Sequence, residues 1–236
     1  MLILALESSA TACSAALCRD GELTAQVYAN SGLTHSRTLL PMVESMLVNS
    51  GTKLDDVDVI AVAAGPGSFT GLRIGVATAK GLAWKGDKDC APCSTLESMA
   101  WPLAHLAGSL IICAMDARRN QVYNALFLAT GEGLERVSPD RAIALADLAE
   151  EDKKNKNSKI NVEDGAKLCY NALMEQGLDL KLAPQPLRMQ SAWGVARTAQ
   201  RLAEEGALVK GGALVPVYHR LSQAERERLE RESQSQ

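Results

Sequence analysis

Histidine is scarce in this chain: its 236 residues include only His35, His105 and His219. The three lie far apart, so no two of them have the short spacing at which paired imidazoles bind a metal ion. Cys90 and Cys93 form a Cys-x-x-Cys pair, but no second Cys or His pair accompanies it. The sequence therefore predicts no metal centre, and a redox role for the cysteine pair is the less favoured interpretation.

Long apolar runs and an excess of basic residues are also absent. The longest apolar stretch, residues 109–115, is far too short to span a bilayer. Lysine and arginine total 25 against 28 acidic residues, so the net charge of −3 lacks the basic excess that supplies most non-specific affinity for nucleic acid. We expect a soluble cytoplasmic protein with no membrane partner, which contacts nucleic acid only as part of a complex.

What the chain does contain is a pattern of strands and helices that occurs twice. The first half has three short apolar strands with a hairpin turn at Asp20-Gly21, then helices near 36–49, from Thr70 onward and near 95–107. Strands at 109–115 and 121–129 restart the pattern, followed by helices near 142–149, 165–176 and 189–205. We predict an α/β fold of two similar subdomains, residues 1–107 and 108–220, with a polar tail at 221–236.

The most informative segment is Gly65-Pro66-Gly67-Ser68-Phe69-Thr70-Gly71-Leu72-Arg73, which follows an apolar strand and opens a helix rich in small residues. Three glycines and a proline supply a turn that needs permissive backbone angles, and Ser68 or Thr70 can cap the helix that follows. Exposed amides at such a helix start attract anions. The alternative interpretation is a tight strand-to-helix corner whose glycines serve close packing alone.

Further segments follow in order along the chain: Glu7-Ser8-Ser9, Ser94-Thr95-Leu96, Met115-Asp116-Ala117-Arg118 and Pro216-Val217-Tyr218-His219-Arg220. Together with the glycine-rich segment they resemble the TsaB (YeaZ) family over almost the whole chain, from Leu2 to Arg220. The resemblance implies an actin-like or sugar-kinase-like (ASKHA) fold. It further implies a non-catalytic subunit that is required for threonylcarbamoyl transfer to adenosine 37 of tRNAs reading ANN codons.

The same resemblance implies the partners. They are the catalytic subunit TsaD, which this chain would bind and stabilise, and TsaE in a larger assembly; tRNA is contacted only through the complex, and the isolated chain forms a homodimer. No cofactor is expected to bind tightly, although ATP or ADP is implied at the interface with TsaD. TsaD holds its metal with a His-x-x-x-His pair in a helix where this chain has Ser94-Thr95-Leu96-Glu97-Ser98-Met99-Ala100. We therefore expect no catalytic residues.

Candidate nucleotide-binding residues are Glu7, Ser8 and Ser9 after the first strand and Gly67 and Ser68 at the glycine corner. In actin-like ATPases an acidic residue at this strand end helps arrange phosphate and magnesium, and Glu replaces the more usual Asp here. The corresponding hairpin of the second half, 116–120, contains no glycine to let backbone amides close on a phosphate. Nucleotide binding is therefore the weaker hypothesis, and a polar strand end satisfied by hairpin amides is the alternative.

A docking surface for the partner is predicted on two helices of the first subdomain. One helix carries small residues at four-residue spacing, which lets another helix approach its backbone, and the other carries an apolar stripe. The residues are Gly71, Gly75 and Ala79 on the first of these helices and Leu40, Val43 and Leu47 on the second. The alternative is that the small residues pack against this chain's own sheet.

The rival hypothesis is a stand-alone enzyme of the same fold, either a small-molecule kinase or a glycoprotease-like peptidase. A kinase would require glycine-rich phosphate hairpins in both halves, which the 116–120 hairpin does not provide. A peptidase would require an activated nucleophile or a metal-bound water. Ser68 lacks the Gly-x-Ser-x-Gly setting of a nucleophile elbow.

Overall fold

The computed structural model describes residues 1–153, 157–163 and 168–219. The predicted polar tail at 221–236 and the predicted helix start at 165 lie outside these residues. Within the described ranges, no helix combines the length and apolar character needed to cross a membrane.

Twelve strands and seven α-helices follow one another along the described chain. The strands are β1 Leu2–Glu7, β2 Cys13–Arg19, β3 Glu22–Ala29, β4 Val59–Gly65, β5 Asp89–Ser94, β6 Leu110–Asp116, β7 Gln121–Ala129, β8 Leu134–Arg136, β9 Arg141–Ala144, β10 Lys159–Glu163, β11 Lys181–Leu182 and β12 Val209–Lys210. The helices are α1 His35–Ser50, α2 Phe69–Trp84, α3 Thr95–Ala100, α4 Leu145–Asp152, α5 Leu168–Glu175, α6 Gln185–Arg188 and α7 Ala192–Glu204.

The first sheet, sheet A, has the strand order β12-β5-β4-β1-β2-β3. β1, β2 and β3 form an antiparallel meander, and β4 and β5 add in parallel on the other side of β1. Asp20 and Gly21 make the β2–β3 turn with positive φ angles, as the Asp-Gly pair predicted. Leu4 packs on one face of the sheet and Ala5 on the other. Because both faces are covered, β1 is apolar without alternation.

The second sheet, sheet B, repeats this arrangement with the order β11-β10-β6-β7-β8. β6, β7 and β8 are antiparallel, and β10 and β11 add in parallel beside β6. β6, β7 and β8 therefore correspond to β1, β2 and β3, while β10 and β11 correspond to β4 and β5. The predicted duplication of an α/β unit is confirmed by this shared strand order and direction.

The helices complete a layered molecule. α1 and α2 cover the outer face of sheet A, and α7 covers its inner face. α3 lies between α7 and sheet B, whose outer face is covered by α4 and α5. The centre of the molecule is therefore the contact between α3 and α7.

Two predicted helices differ from the structure, one in its length and one in its position. The helix predicted near 95–107 leaves α-geometry after Ala100 and continues as a 3₁₀ turn, Trp101–Leu103. Pro102 has no N–H to donate to the carbonyl of Ser98, so the α-helical pattern is interrupted there. The helix predicted near 142–149 begins at Leu145, because Arg141–Ala144 pairs as an edge strand with β7.

The predicted subdomain boundaries need a correction. Residues 108–220 were assigned to the second subdomain, but α7 packs on the inner face of sheet A and β12 pairs with β5 at its edge. Leu214 is fully buried in the core beneath α1 and α2. The first subdomain is therefore discontinuous, because α7 is amphipathic and covers the face of sheet A that would otherwise be bare.

Candidate functional site

The glycine corner lies where the carboxyl ends of β1 and β4 meet, at the start of α2. Ser68 caps the helix as predicted: its side chain accepts a hydrogen bond from the N–H of Gly71 at 3.3 Å. The N–H of Ser68 donates to the carbonyl of Ser9 at 2.6 Å. The Oγ of Ser8 donates to the carbonyl of Gly71 at 3.0 Å. The segment after β1 is thus bound directly to the first turn of α2.

The glycines permit this close approach. A Cβ on Gly67 would lie 2.5 Å from the carbonyl oxygen of Ser9, and one on Gly71 would overlap the carbonyl oxygen of Ser8. Neither glycine has a positive φ in the range that excludes side chains, so space decides here rather than backbone conformation. The geometry favours the close-packing interpretation of this corner.

Glu7 ends β1 with a fully buried carboxyl group. Its Oε1 accepts a hydrogen bond from the N–H of Ser9 at 2.6 Å, and its Oε2 has no partner among the described residues. Burial raises the pKa of Glu7 from its ordinary 4.5 to about 7, while hydrogen bonds from Ser9 and Ser8 act in the opposite direction. A substantial fraction of Glu7 is therefore protonated at neutral pH.

The structure brings the candidate nucleotide-binding residues together but buries three of the five. Glu7, Ser8 and Ser9 have no exposed surface, and Ser68 alone is exposed among the five. The corresponding hairpin of the second half joins β6 and β7 and contains no glycine. Its residues Arg118, Arg119 and Asn120 all have φ between 56° and 67°. In this arrangement no phosphate can reach the carboxyl group of Glu7.

A segment near the C-terminal end of the described chain crosses the glycine corner, and sequence reasoning assigned it no role. The N–H of Val217 donates to the carbonyl of Ala64 at 2.7 Å. The ring of Tyr218 stacks on that of Phe69 with centroids 4.9 Å apart, and the Tyr218 hydroxyl accepts from Arg73 Nε at 3.1 Å. Arg73 also lies 3.8 Å above the Phe69 ring. This strap, residues 214–219, covers the turn between β4 and α2.

The predicted docking stripe on α2 is corrected by the structure. Gly71, Gly75 and Ala79 are buried against this chain's own sheet, so they present no surface to a partner. The reason is steric: a Cβ on Gly75 would lie 2.5 Å from Ser8 Oγ and 3.1 Å from a methyl group of Val62. The alternative interpretation, internal packing, is the one that the geometry supports.

The predicted residues on α1 divide between core and surface. Val43 is 1% exposed and belongs to the core, Leu47 is half-buried, and Leu40 is 45% exposed. Two further apolar side chains are more exposed than any of these: Val48 at 80%, and Trp84 at 89% at the end of α2. Sequence reasoning missed Trp84.

The lining of a shallow groove of about 440 Å³ includes Val48 and Lys85, the residue that follows Trp84. Leu47, Val48 and Leu54 supply its apolar lining, and Glu44, Thr52, Lys53, Asp55 and Lys85 supply its rim. Leu40, Val48 and Trp84, together with this groove, are here called the α1–α2 patch. Over the described parts of the chain, no group of three or more His, Cys, Asp or Glu side chains is placed to hold a metal ion.

Comparisons with solved structures identify the fold class. A crystal structure described as an uncharacterized protein with similarity to peptidase YEAZ, from Pseudomonas aeruginosa, superposes with a TM-score of 0.81 at 27% identity, covering 93% of this chain and 99% of that one. A ROK hexokinase from Thermus thermophilus superposes with a TM-score of 0.50 at 13% identity, covering 86% and 100%. With the duplicated sheets, these neighbours define an actin-like and sugar-kinase-like (ASKHA) protein, which confirms the predicted fold class.

Sequence comparisons identify the family within that class. The family model described as "TsaD: tRNA N6-adenosine threonylcarbamoyltransferase" matches residues 29–179. The tRNA threonylcarbamoyladenosine biosynthesis protein TsaB of Escherichia coli K12 is 31% identical over 222 residues, 93% of this chain and 95% of the relative. The TsaB protein of Haemophilus influenzae is 42% identical over 124 residues, a match that spans only 52% of each protein. The chain belongs to the TsaB family.

Proposed function

We propose that this chain is a non-catalytic subunit of tRNA threonylcarbamoyladenosine biosynthesis, which binds TsaD and stabilises its active form. The observation that carries the proposal is the 31% identity to a TsaB protein over 93% of this chain. Threonylcarbamoyl transfer to adenosine 37 is assigned to the partner. tRNA is reached only through the complex, in keeping with the net charge of −3.

The absence of a catalytic role is supported by the closed strand end. Glu7 stands where actin-like ATPases place their phosphate-arranging carboxylate, yet it is fully buried and no phosphate can reach it. We therefore assign ATP or ADP to a site shared with TsaD, with TsaE completing a larger assembly. A stand-alone kinase or peptidase is the alternative, and tight ATP binding by the isolated chain would favour the kinase.

The surface assigned to TsaD is the α1–α2 patch. Exposed apolar patches mark protein interaction sites, and tryptophan is enriched among the residues that dominate binding energy. The match of this chain to the TsaD family model means that the two subunits share an ancestor, so equivalent helices of each can meet around a pseudo-two-fold axis. The same face would pair two copies of this chain when TsaD is absent.

The test is co-purification with TsaD of the same organism. The double variant Leu40→Glu/Val48→Glu places two charges in the α1–α2 patch, and both side chains are at least 45% exposed, so folding is expected to persist. Val137→Glu is the matched control, because Val137 is 51% exposed in the second subdomain. Association should weaken about ten-fold or more in the double variant only. Unchanged TsaD binding and unchanged tRNA modification in a reconstituted assay would contradict the assigned surface.

A further inference from the structure

Among the described residues, helices α3 and α7 form much of the contact between the two sheets. Helix α3 packs on sheet B with Leu96, Met99 and Leu103, which share a core with Ile111 and Phe127. Its opposite side faces α7, which in turn covers sheet A. Any change in the angle between the two sheets must therefore slide α3 along α7 or along sheet B.

The contact between α3 and α7 is unusually close. A Cβ on Gly194 would overlap the carbonyl oxygen of Ser98, so only glycine permits this separation of the two helices. One turn further along α7, Thr198 Oγ1 accepts a hydrogen bond from Trp101 Nε1 at 3.1 Å and lies 3.3 Å from Ser98 Oγ. Arg201, the next residue of the same stripe, reaches Glu97.

Glu97 lies at the point where both sides meet. Its side chain is 4% exposed. On the α7 side, Arg201 forms a two-pronged ion pair with it, Nε to Oε1 at 2.7 Å and Nη2 to Oε2 at 2.9 Å. On the sheet B side, Arg136 Nη2 donates to Oε2 at 2.9 Å. One buried carboxylate is therefore shared by arginines from the two halves of the molecule.

Both arginines also form ion pairs with a second carboxylate. Arg136 also pairs with Asp140 at 2.6 Å and lies 4.7 Å from the Phe127 ring, and Asp140 accepts from Ser94 Oγ at 2.6 Å. Arg201 pairs with Glu205 at 2.6 Å on the surface. The neighbouring carboxylates raise the pKa of Arg136 against the opposing effect of burial, so its charge is retained. The cluster is a chain of charge-assisted hydrogen bonds that spans α7, α3 and the end of β8.

We propose that Glu97 is a clamp that fixes the angle between the two subdomains. If either arginine moved away, the buried carboxylate of Glu97 would lose part of its charge compensation, which costs more than breaking a surface ion pair. Rotation of one sheet relative to the other would break at least one of the three bonds to Glu97. The clamp therefore holds this chain in one domain orientation, independently of which partner it binds.

The test measures the distance between the subdomains. Spin labels are placed on Glu22→Cys in β3 and Glu175→Cys in α5, two exposed positions; the six native cysteines are buried and thus poorly accessible to the label. Double electron–electron resonance should give one narrow distance distribution for the otherwise unmodified chain. Glu97→Gln removes the shared charge. The distance distribution of this variant should therefore be broadened or split. Glu205→Gln is the matched control, because it removes the exposed bond to Arg201 and leaves Glu97 untouched.

A second variant keeps the outcome decisive if Glu97→Gln does not fold. Arg136→Gln releases only the sheet B side of the clamp and should broaden the distribution in the same way. The proposal is overturned if a folded Glu97→Gln or Arg136→Gln chain keeps the narrow distribution. A lower melting temperature with an unchanged distribution also overturns it, since the cluster would then contribute stability without setting the domain angle.

Discussion

Ser8 occupies the space that a side chain at Gly75 would need: a Cβ on Gly75 would lie 2.5 Å from Ser8 Oγ. This contact joins the segment after β1 to the second turn of α2, inside one subdomain. It explains why α2 carries glycines on its buried face, where each costs about 0.5 to 1 kcal/mol relative to alanine. The compensating contact is internal, so the glycines are not a docking feature.

The first prediction concerns two glycines of α2. Gly75→Ala should lower the free energy of unfolding by about 1 to 3 kcal/mol, because Ser8 and Val62 must shift to admit the methyl group. Gly81→Ala is the control in the same helix: it has no heavy atom within 4 Å of its Cβ position and should stabilise by about 0.5 to 1 kcal/mol. Urea unfolding of both variants measures the difference. Equal effects of the two substitutions would contradict the packing described here.

The second prediction concerns the buried carboxyl group of Glu7. Its pKa is about 7 in the folded chain against an ordinary 4.5, so the folded state binds the proton more tightly than the unfolded state. The stabilisation of the folded state by this tighter proton binding is fully present below pH 4.5 and is lost as the pH rises through about 7. A shift of this size corresponds to about 3 kcal/mol.

Glu7→Gln keeps an acceptor for the N–H of Ser9 but cannot ionise. The stability of this variant relative to the unmodified chain should therefore increase between pH 5 and pH 8, by at most about 3 kcal/mol. Thermal unfolding across this pH range measures the difference. A difference that does not change with pH would mean that Glu7 ionises in the folded chain as easily as in the unfolded one.

The third prediction concerns the strap across the glycine corner. Tyr218→Ala removes the stacking on Phe69 and the hydrogen bond from Arg73. It should lower the free energy of unfolding by about 1 to 2 kcal/mol. Tyr218→Phe keeps the stack and should cost less than half as much. Val215→Ala, at a side chain that is 58% exposed, is the control and should have almost no effect. If Tyr218→Ala behaves like the control, the strap contributes nothing to the stability of this corner.

Individual turns and helix ends could be predicted because they depend on local signals, whereas the duplication of the α/β unit was implied by the family resemblance. The Asp20-Gly21 turn, the Ser68 cap and the end of α1 at Gly51, which has φ 65°, each rest on a few neighbouring residues. The return of α7 to sheet A could not be predicted, since the periodicity of a helix indicates an apolar face but not which sheet it covers. The same limit applies to the small residues of α2, whose spacing fits a partner helix and the chain's own sheet equally well.

The site shows the same division. Glu7, Ser8 and Ser9 lie beside the glycine corner because the parallel strands β1 and β4 bring their carboxyl ends together. Their complete burial depends on contacts between residues more than fifty positions apart, such as Ser8 with Gly71. The Glu97 cluster could not be predicted from local sequence patterns, because Arg136 and Arg201 are separated from Glu97 by 39 and 104 positions.

The last prediction concerns Trp84, whose side chain is 89% exposed at the end of α2. In the isolated chain this exposed side chain contributes little to stability. Trp84→Ala should therefore leave the melting temperature unchanged. If the α1–α2 patch binds TsaD as proposed, the same substitution should weaken association by about 2 kcal/mol, roughly thirty-fold, as central aromatic residues of interfaces do. Tyr28→Ala is the matched control, because Tyr28 is an aromatic residue that is 43% exposed on the edge strand β3. Calorimetric titration of TsaD with the three chains measures the effect, and a Trp84→Ala chain that binds as tightly as the control would place the interface elsewhere.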